Sequence, residues 1–123
     1  MAWLLVGIGG AIGAMLRYGI GVLAAHLNLV QFPVATVVVN TLGSFIIGVC
    51  YIWVFERADL GEQFRLFAMV GVLGGFTTFS AFSLDTLLLL EQGHYTQAIA
   101  YVVLTMVLAL SGVILGAALM RIF

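Results

Sequence analysis

Four apolar runs, at about 2–25, 33–55, 64–90 and 97–120, take up nearly the whole chain and leave three short polar connections between them. At 1.5 Å rise per residue, about 20 helical residues cross a hydrocarbon layer roughly 30 Å thick, so each run is long enough to span a bilayer. Residues 1–123 therefore read as one all-α membrane domain of four transmembrane helices, with no domain outside the membrane, and any function must lie among the helices. Hydrophobic residues make up 64% of the chain and charged ones 7%, too little polar surface for a soluble domain of this size. With net charge −1 and no lysine, nothing points to a nucleic acid or another polyanion. The lone Cys50 excludes an intrachain disulfide and reads as a small apolar filler. No basic lead-in precedes the first run, so no cleavable signal is expected.

The third run carries a sequence that a spanning helix normally avoids at its centre: G-V-L-G-G-F-T-T-F-S-A-F-S, from Gly71 to Ser83. Adjacent glycines weaken a helix, and the hydroxyls of Thr77, Thr78, Ser80 and Ser83 offer the backbone competing hydrogen bonds. A break near 74–80 is expected. Irregular backbone at that depth is tolerated only where its freed N–H and C=O groups are buried in protein or line a wet cavity, and such breaks are typical of ion sites. Phe76, Phe79 and Phe82 recur every three residues through the same stretch.

The first run holds small residues at four-residue spacing, Gly9–Gly13 and Gly10–Ala14, a face that permits close helix approach. Arg17 has two readings: a charge facing a partner or water inside the membrane, or one that snorkels to the headgroups beyond Ala25. Tyr18 suits an interfacial anchor. After a polar connection at His26–Phe32, Pro33 opens the second helix, where its missing N–H costs nothing. Asn40 in that helix, with Thr36 one turn earlier, reads either as an interhelical staple or as an N–H donor to an anion; spacing alone favours the staple. The stretch Glu56–Glu62, including Asp59, reads as a solvated loop, and Asp85 as a capping or interfacial acid. In the fourth helix Gly112 and Gly116 form a contact pair, Tyr101 and Thr105 put two hydroxyls on one face, and Arg121 suits the negative end of the helix dipole.

Arg57, Arg65 and Arg121 share one side with the termini, a lean towards cytoplasmic termini that so few charges leave small, so insertion in both directions stays open. Four short helices do not easily enclose a pathway alone. A break at the centre of its helix would meet the break of a second, oppositely inserted copy at the same depth, and carbonyls from both copies could share a cation.

Three motifs in order, G-G-A-I-G-A-M-L-R-Y at Gly9–Tyr18, V-V-V-N-T-L-G-S at Val37–Ser44 and G-G-F-T-T-F-S-A-F-S at Gly74–Ser83, make the chain resemble the Fluc/CrcB fluoride channels over essentially its whole length. The resemblance implies an antiparallel, dual-topology homodimer in the cell (plasma or inner) membrane, conducting fluoride passively through two pores and lowering cytoplasmic fluoride. It implies a structural Na⁺ at the dimer centre, held by backbone carbonyls at Gly74 and Thr77. It also implies pores lined by Phe79, Phe82 and Asn40, with a polar track along the fourth helix at Tyr101 and Thr105. The track's next position, usually serine in the family, is Ala109 here, with Ser111 nearby. Arg17 matches the family's first-helix arginine, with a role in vestibule electrostatics or structure.

The chemistry of the residues agrees with that implication. Fluoride is strongly hydrated, so a dry passage must replace its water with donors. Ring edges of Phe79 and Phe82 are positive, and Asn40 donates N–H without a charge that would trap the ion. No nucleophile–base pair stands out, so an enzyme is not expected. The alternative is a small dual-topology four-helix multidrug exporter, which needs a deep carboxylate; the first helix has Arg17 and no acid, and Asp85 is the sole candidate. A packing subunit without transport would explain the glycine faces and leave the Phe–Thr–Ser stretch without a purpose.

Overall fold

The computed structural model describes residues 1–57 and 60–123, and these are all-helical, without strands. The first helix, α1 (Ala2–His26), is followed by α2 (Val34–Ile52), which runs on as a π-helical turn at Trp53–Arg57. The third apolar segment starts with α3 (Gly61–Phe64) and continues through a π-helical stretch at Arg65–Leu73 to the single turn α4 (Gly74–Phe76). After Thr77 and Thr78 come α5 (Phe79–Glu91) and the long α6 (Tyr95–Ile122). Four stretches, Ala2–His26, Val34–Arg57, Gly61–Glu91 and Tyr95–Ile122, are long and apolar enough to cross a membrane. Large apolar side chains such as Trp3, Ile99 and Ile114 lie exposed on the outside, as a lipid solvent requires.

Helix ends explain the short connections. After α1, Asn28 takes a left-handed φ of 56°, the Leu29 N–H reaches back to the Ala24 carbonyl and the Asn28 N–H to Ala25. Gly93 does the same after α5 with φ 77°, and there the His94 N–H reaches Leu89. Both are paired reversals in which one left-handed residue satisfies carbonyls that the last helical turn leaves open.

The charged connection differs from the expected loop over Glu56–Glu62. Helical backbone continues through Arg57 and resumes at Gly61, while Asp59 lies outside the described residues. Glu56 is paired with Arg121 at 2.9 Å, and Arg57 Nη2 donates to the Arg121 carbonyl at 3.0 Å, tying the ends of the second and fourth crossings together. Exposed pairs of this kind contribute at most about 1 kcal/mol.

Two glycine-lined seams hold the layers. In one, α1 lies against the third segment, where a side chain on Gly9 would meet the Phe67 carbonyl, one on Gly13 the Val72 carbonyl and one on Gly75 the Gly10 carbonyl. In the other, α2 lies against α6, with Gly48 on the Val113 carbonyl and Gly116 on the Phe45 carbonyl. Backbone rests directly on backbone at these points, so only a hydrogen fits where a Cβ would stand. In lipid, where burial of apolar surface gives helices little reason to associate, this close packing supplies the attraction.

Candidate functional site

Between α4 and α5 the chain leaves helical geometry for two residues: Thr77 has φ −81° and ψ 156°, and Thr78 φ −154° and ψ 123°. Local hydroxyls make this conformation self-supporting. Thr77 Oγ1 donates to the Leu73 carbonyl at 3.0 Å, closing off the turn behind it. Thr78 Oγ1 accepts the Ala81 N–H at 3.1 Å, an N-cap that starts α5. Ser83 donates back to the Phe79 carbonyl at 3.0 Å.

Longer-range groups satisfy what remains. The Thr78 N–H donates to Asn40 Oδ1 at 2.8 Å, and Asn40 Nδ2 donates to the Thr78 carbonyl at 3.0 Å. Arg17 Nε donates to the Gly75 carbonyl at 3.1 Å. Arg17 thus has a backbone partner inside the fold, and its positive charge sits at the carbonyl end of a helical segment, where the dipole favours it. In a continuing helix the Thr78 amide would close on Gly74 and the Ala81 amide on Thr77. Both go elsewhere, so neither carbonyl receives that bond.

Three cavities surround this pair of residues. One of about 230 Å³ is lined by Asn40, Ser44, Phe79, Phe82, Thr105 and Ala109, with Thr77 and Thr78 at its wall. A second of about 200 Å³ is lined by Gly43, Ser44, Met69, Gly74 and Thr77. The third, of about 400 Å³, opens beside Arg17, Tyr18, Thr36 and Thr78. Of the residues singled out in the sequence, Asn40, Phe79, Phe82 and Thr105 converge on the first cavity, Gly74 and Thr77 on the second, and Arg17 faces the third. Tyr101 lines none of them and stands behind Phe82, its ring 5.3 Å away centre to centre. Phe79 and Phe82 are 5.4 Å apart and tilted by 46°. Their exposures differ sharply: Phe82 is 8% exposed and Phe79 73%.

The first cavity sets neutral polar groups beside aromatic ones. The Thr105 hydroxyl is 4% exposed at residue level and has no hydrogen-bond partner among the described residues. Tyr101, fully buried, donates its hydroxyl to Asp85 Oδ2 at 2.9 Å, and Thr36 Oγ1 donates to the same oxygen at 2.7 Å. Asp85 therefore joins α2, α5 and α6 instead of serving as a helix cap. Its position three residues after Phe82, with Thr36 one turn before Asn40, was the available signal. Ser44, one turn after Asn40, borders the first two cavities and was not singled out in the sequence.

No cluster of acidic, histidine or cysteine side chains suited to a metal is present among the described residues. The donors available for a cation are backbone carbonyls. The Gly74 and Thr77 carbonyls, left without their helical partners, are oxygen donors of the kind a hard cation takes.

Comparison with known proteins places the chain in a family. A family model described as "CrcB-like protein, Camphor Resistance (CrcB)" matches residues 4–117. A protein of Saccharophagus degradans named fluoride-specific ion channel FluC is 46% identical over 114 residues, covering 93% of this chain and 85% of the relative. Proteins of the same name from a Methylobacterium species and from Rhizobium meliloti are 43% and 44% identical, covering 98% and 96% of this chain and 96% and 94% of their own.

Proposed function

The chain belongs to the CrcB-like family, and from that premise we propose that it is a fluoride-specific ion channel, a multi-pass membrane protein and not an enzyme, that lets fluoride leave the cell passively. The observation that carries this reading is the convergence of Asn40, Phe79, Phe82 and Thr105, drawn from α2, α5 and α6, on one small cavity. Among the described residues no charged side chain lines it, so an anion there would meet dipoles and ring edges. Phe79 and Phe82 would present C–H edges, Asn40 its free N–H, and Thr105 its unpartnered hydroxyl. Several weak sites in sequence let an ion enter and also leave, which one strong site would prevent.

In this proposal the functional unit is an antiparallel, dual-topology homodimer with two pores in the plasma or inner membrane. The third crossing is broken at mid-depth by Thr77 and Thr78 in each copy. The support is physical. Phe79, three-quarters exposed, needs a covering wall if it is to line a dry path, and the Gly74 and Thr77 carbonyls lack their helical partners. A second copy related by a two-fold axis in the membrane plane would supply both. Gly74 and Thr77 would hold a structural Na⁺ with their equivalents in the other copy, and bound there it would supply positive charge that lowers the energy of an anion nearby. Arg17 holds the Gly75 carbonyl beside the third cavity, a fixed positive charge at the proposed vestibule.

An exporter driven by protons would need a carboxylate free to bind a cationic substrate, and Asp85 already accepts from Thr36 and Tyr101. Flux measured in liposomes under an imposed proton gradient tests the choice. Fluoride flux that follows only the fluoride gradient and the voltage is expected. Proton-driven movement of a lipophilic cation without fluoride release would replace the channel with an exporter.

A further inference from the structure

The hydroxyls and amides around the aromatic-walled cavity can be counted against the bonds they already make. Asn40 gives one N–H to the Thr78 carbonyl and keeps the other. The Thr77 hydroxyl is given to Leu73, and that of Thr78 is engaged with Ala81 and Ser80. At the cavity wall Thr105, buried on α6, has no hydrogen-bond partner among the described residues, and Ser44, half-buried on α2, adds a second hydroxyl. One turn beyond Thr105, α6 presents Ala109, whose methyl group offers no donor. One turn beyond Asn40, α2 presents Ser44. The α6 side of the cavity runs out of donors where the α2 side acquires one.

We propose that Ser44 is an ion-contacting, rate-setting residue of this channel, its hydroxyl donating to the anion in the part of the cavity where Ala109 leaves the α6 wall apolar. This inference rests on the fluoride-channel reading. Asn40 and Ser44 are four residues apart, so their donors are stacked about 6 Å along the helix axis, a spacing at which an ion leaves one as it reaches the next. A neutral hydroxyl suits the task because it stabilises an anion without trapping it. Ser44 also borders the cavity of Gly74 and Thr77, which makes the opposite assignment, to the cation side, a definite competitor.

The test is fluoride efflux and sodium affinity measured on the intact protein in liposomes, for the unaltered chain, Ser44→Ala, Ser44→Cys and Ser44→Ala combined with Ala109→Ser. Cysteine keeps the shape but is a far weaker donor, so it reports on the bond even if alanine disturbs folding. Losing a hydrogen bond to a charged group predicts fluoride flux lower by about ten- to a hundred-fold in both single variants, with sodium affinity unchanged. Ala109→Ser should restore a large part of the flux by placing a hydroxyl on the facing wall. Unaltered flux in Ser44→Ala and Ser44→Cys, beside a conducting unaltered chain, would overturn the role of Ser44 and leave the channel standing. A loss of flux that tracks a loss of sodium affinity would overturn it too, by moving Ser44 to the cation side. No fluoride flux from the unaltered chain would remove the channel reading itself.

Discussion

The side-chain amide of Asn40 closes on both backbone polar groups of Thr78, accepting its N–H at 2.8 Å and donating to its carbonyl at 3.0 Å. One residue of α2 thus engages both backbone groups of Thr78 where the chain is extended. Asn40 keeps one N–H for the cavity, so the staple and the donor roles are compatible.

Substitutions at Asn40 separate those roles. Asn40→Ala strands both groups of Thr78, at about 1–3 kcal/mol each, and should lower the thermal midpoint and abolish flux together. Asn40→Asp still accepts the Thr78 N–H but places a negative charge beside the anion path. It should block flux while costing less stability than alanine. Thermal unfolding and efflux on the same preparations decide it; normal flux in Asn40→Asp would leave Asn40 a staple only.

Phe79 and Phe82 should behave alike in flux and unlike in stability. Phe82 is buried against Tyr101, whereas Phe79 is exposed on one chain. Phe79→Ile and Phe82→Ile should each suppress fluoride flux at least tenfold. Only Phe82→Ile should also destabilise the single chain, by about 1–3 kcal/mol. Normal flux in both variants would exclude the rings from the path.

Arg17→Ala removes the donor to the Gly75 carbonyl and should cost about 1–3 kcal/mol, with Tyr18→Ala, an exposed neighbour, close to neutral. Equal effects of the two on the unfolding midpoint would mean that the Arg17 bond contributes nothing. Thr77→Ser should be mild, since it keeps the hydroxyl that donates to Leu73.

The seams give a paired control. A Cβ on Gly13 would run into the Val72 backbone, while one on Gly7 meets nothing within 4 Å. Gly13→Ala should sharply reduce the yield of folded protein by size-exclusion chromatography, and Gly7→Ala should leave it unchanged or slightly improved, alanine being the better helix former. Tolerance of both would mean that α1 does not rest on the third segment through bare backbone.

The sequence was informative where physics is local. Run length and hydropathy identify four crossings, and paired glycines identify the faces where helices meet. The Gly–Gly–Phe–Thr–Thr stretch marks backbone that leaves the helix, because its hydroxyls compete for backbone bonds within a few residues. Partners that come from other helices were not readable. Nothing near Asn40 in sequence names Thr78, and nothing near Arg17 names Gly75; for both residues two readings stayed open until the helices were assembled. Asp85 looked like an end-of-helix acid because its depth was judged along its own helix alone. Its partners Thr36 and Tyr101 come from two others, a relationship visible only in three dimensions.

The central claim is tested most directly by liposomes loaded with fluoride and chloride, containing the purified protein and a potassium ionophore to carry the balancing charge, with both halides recorded outside. The account predicts that fluoride leaves within the measurement while chloride stays behind. Release of both at similar rates, or of neither from well-inserted protein, would contradict it.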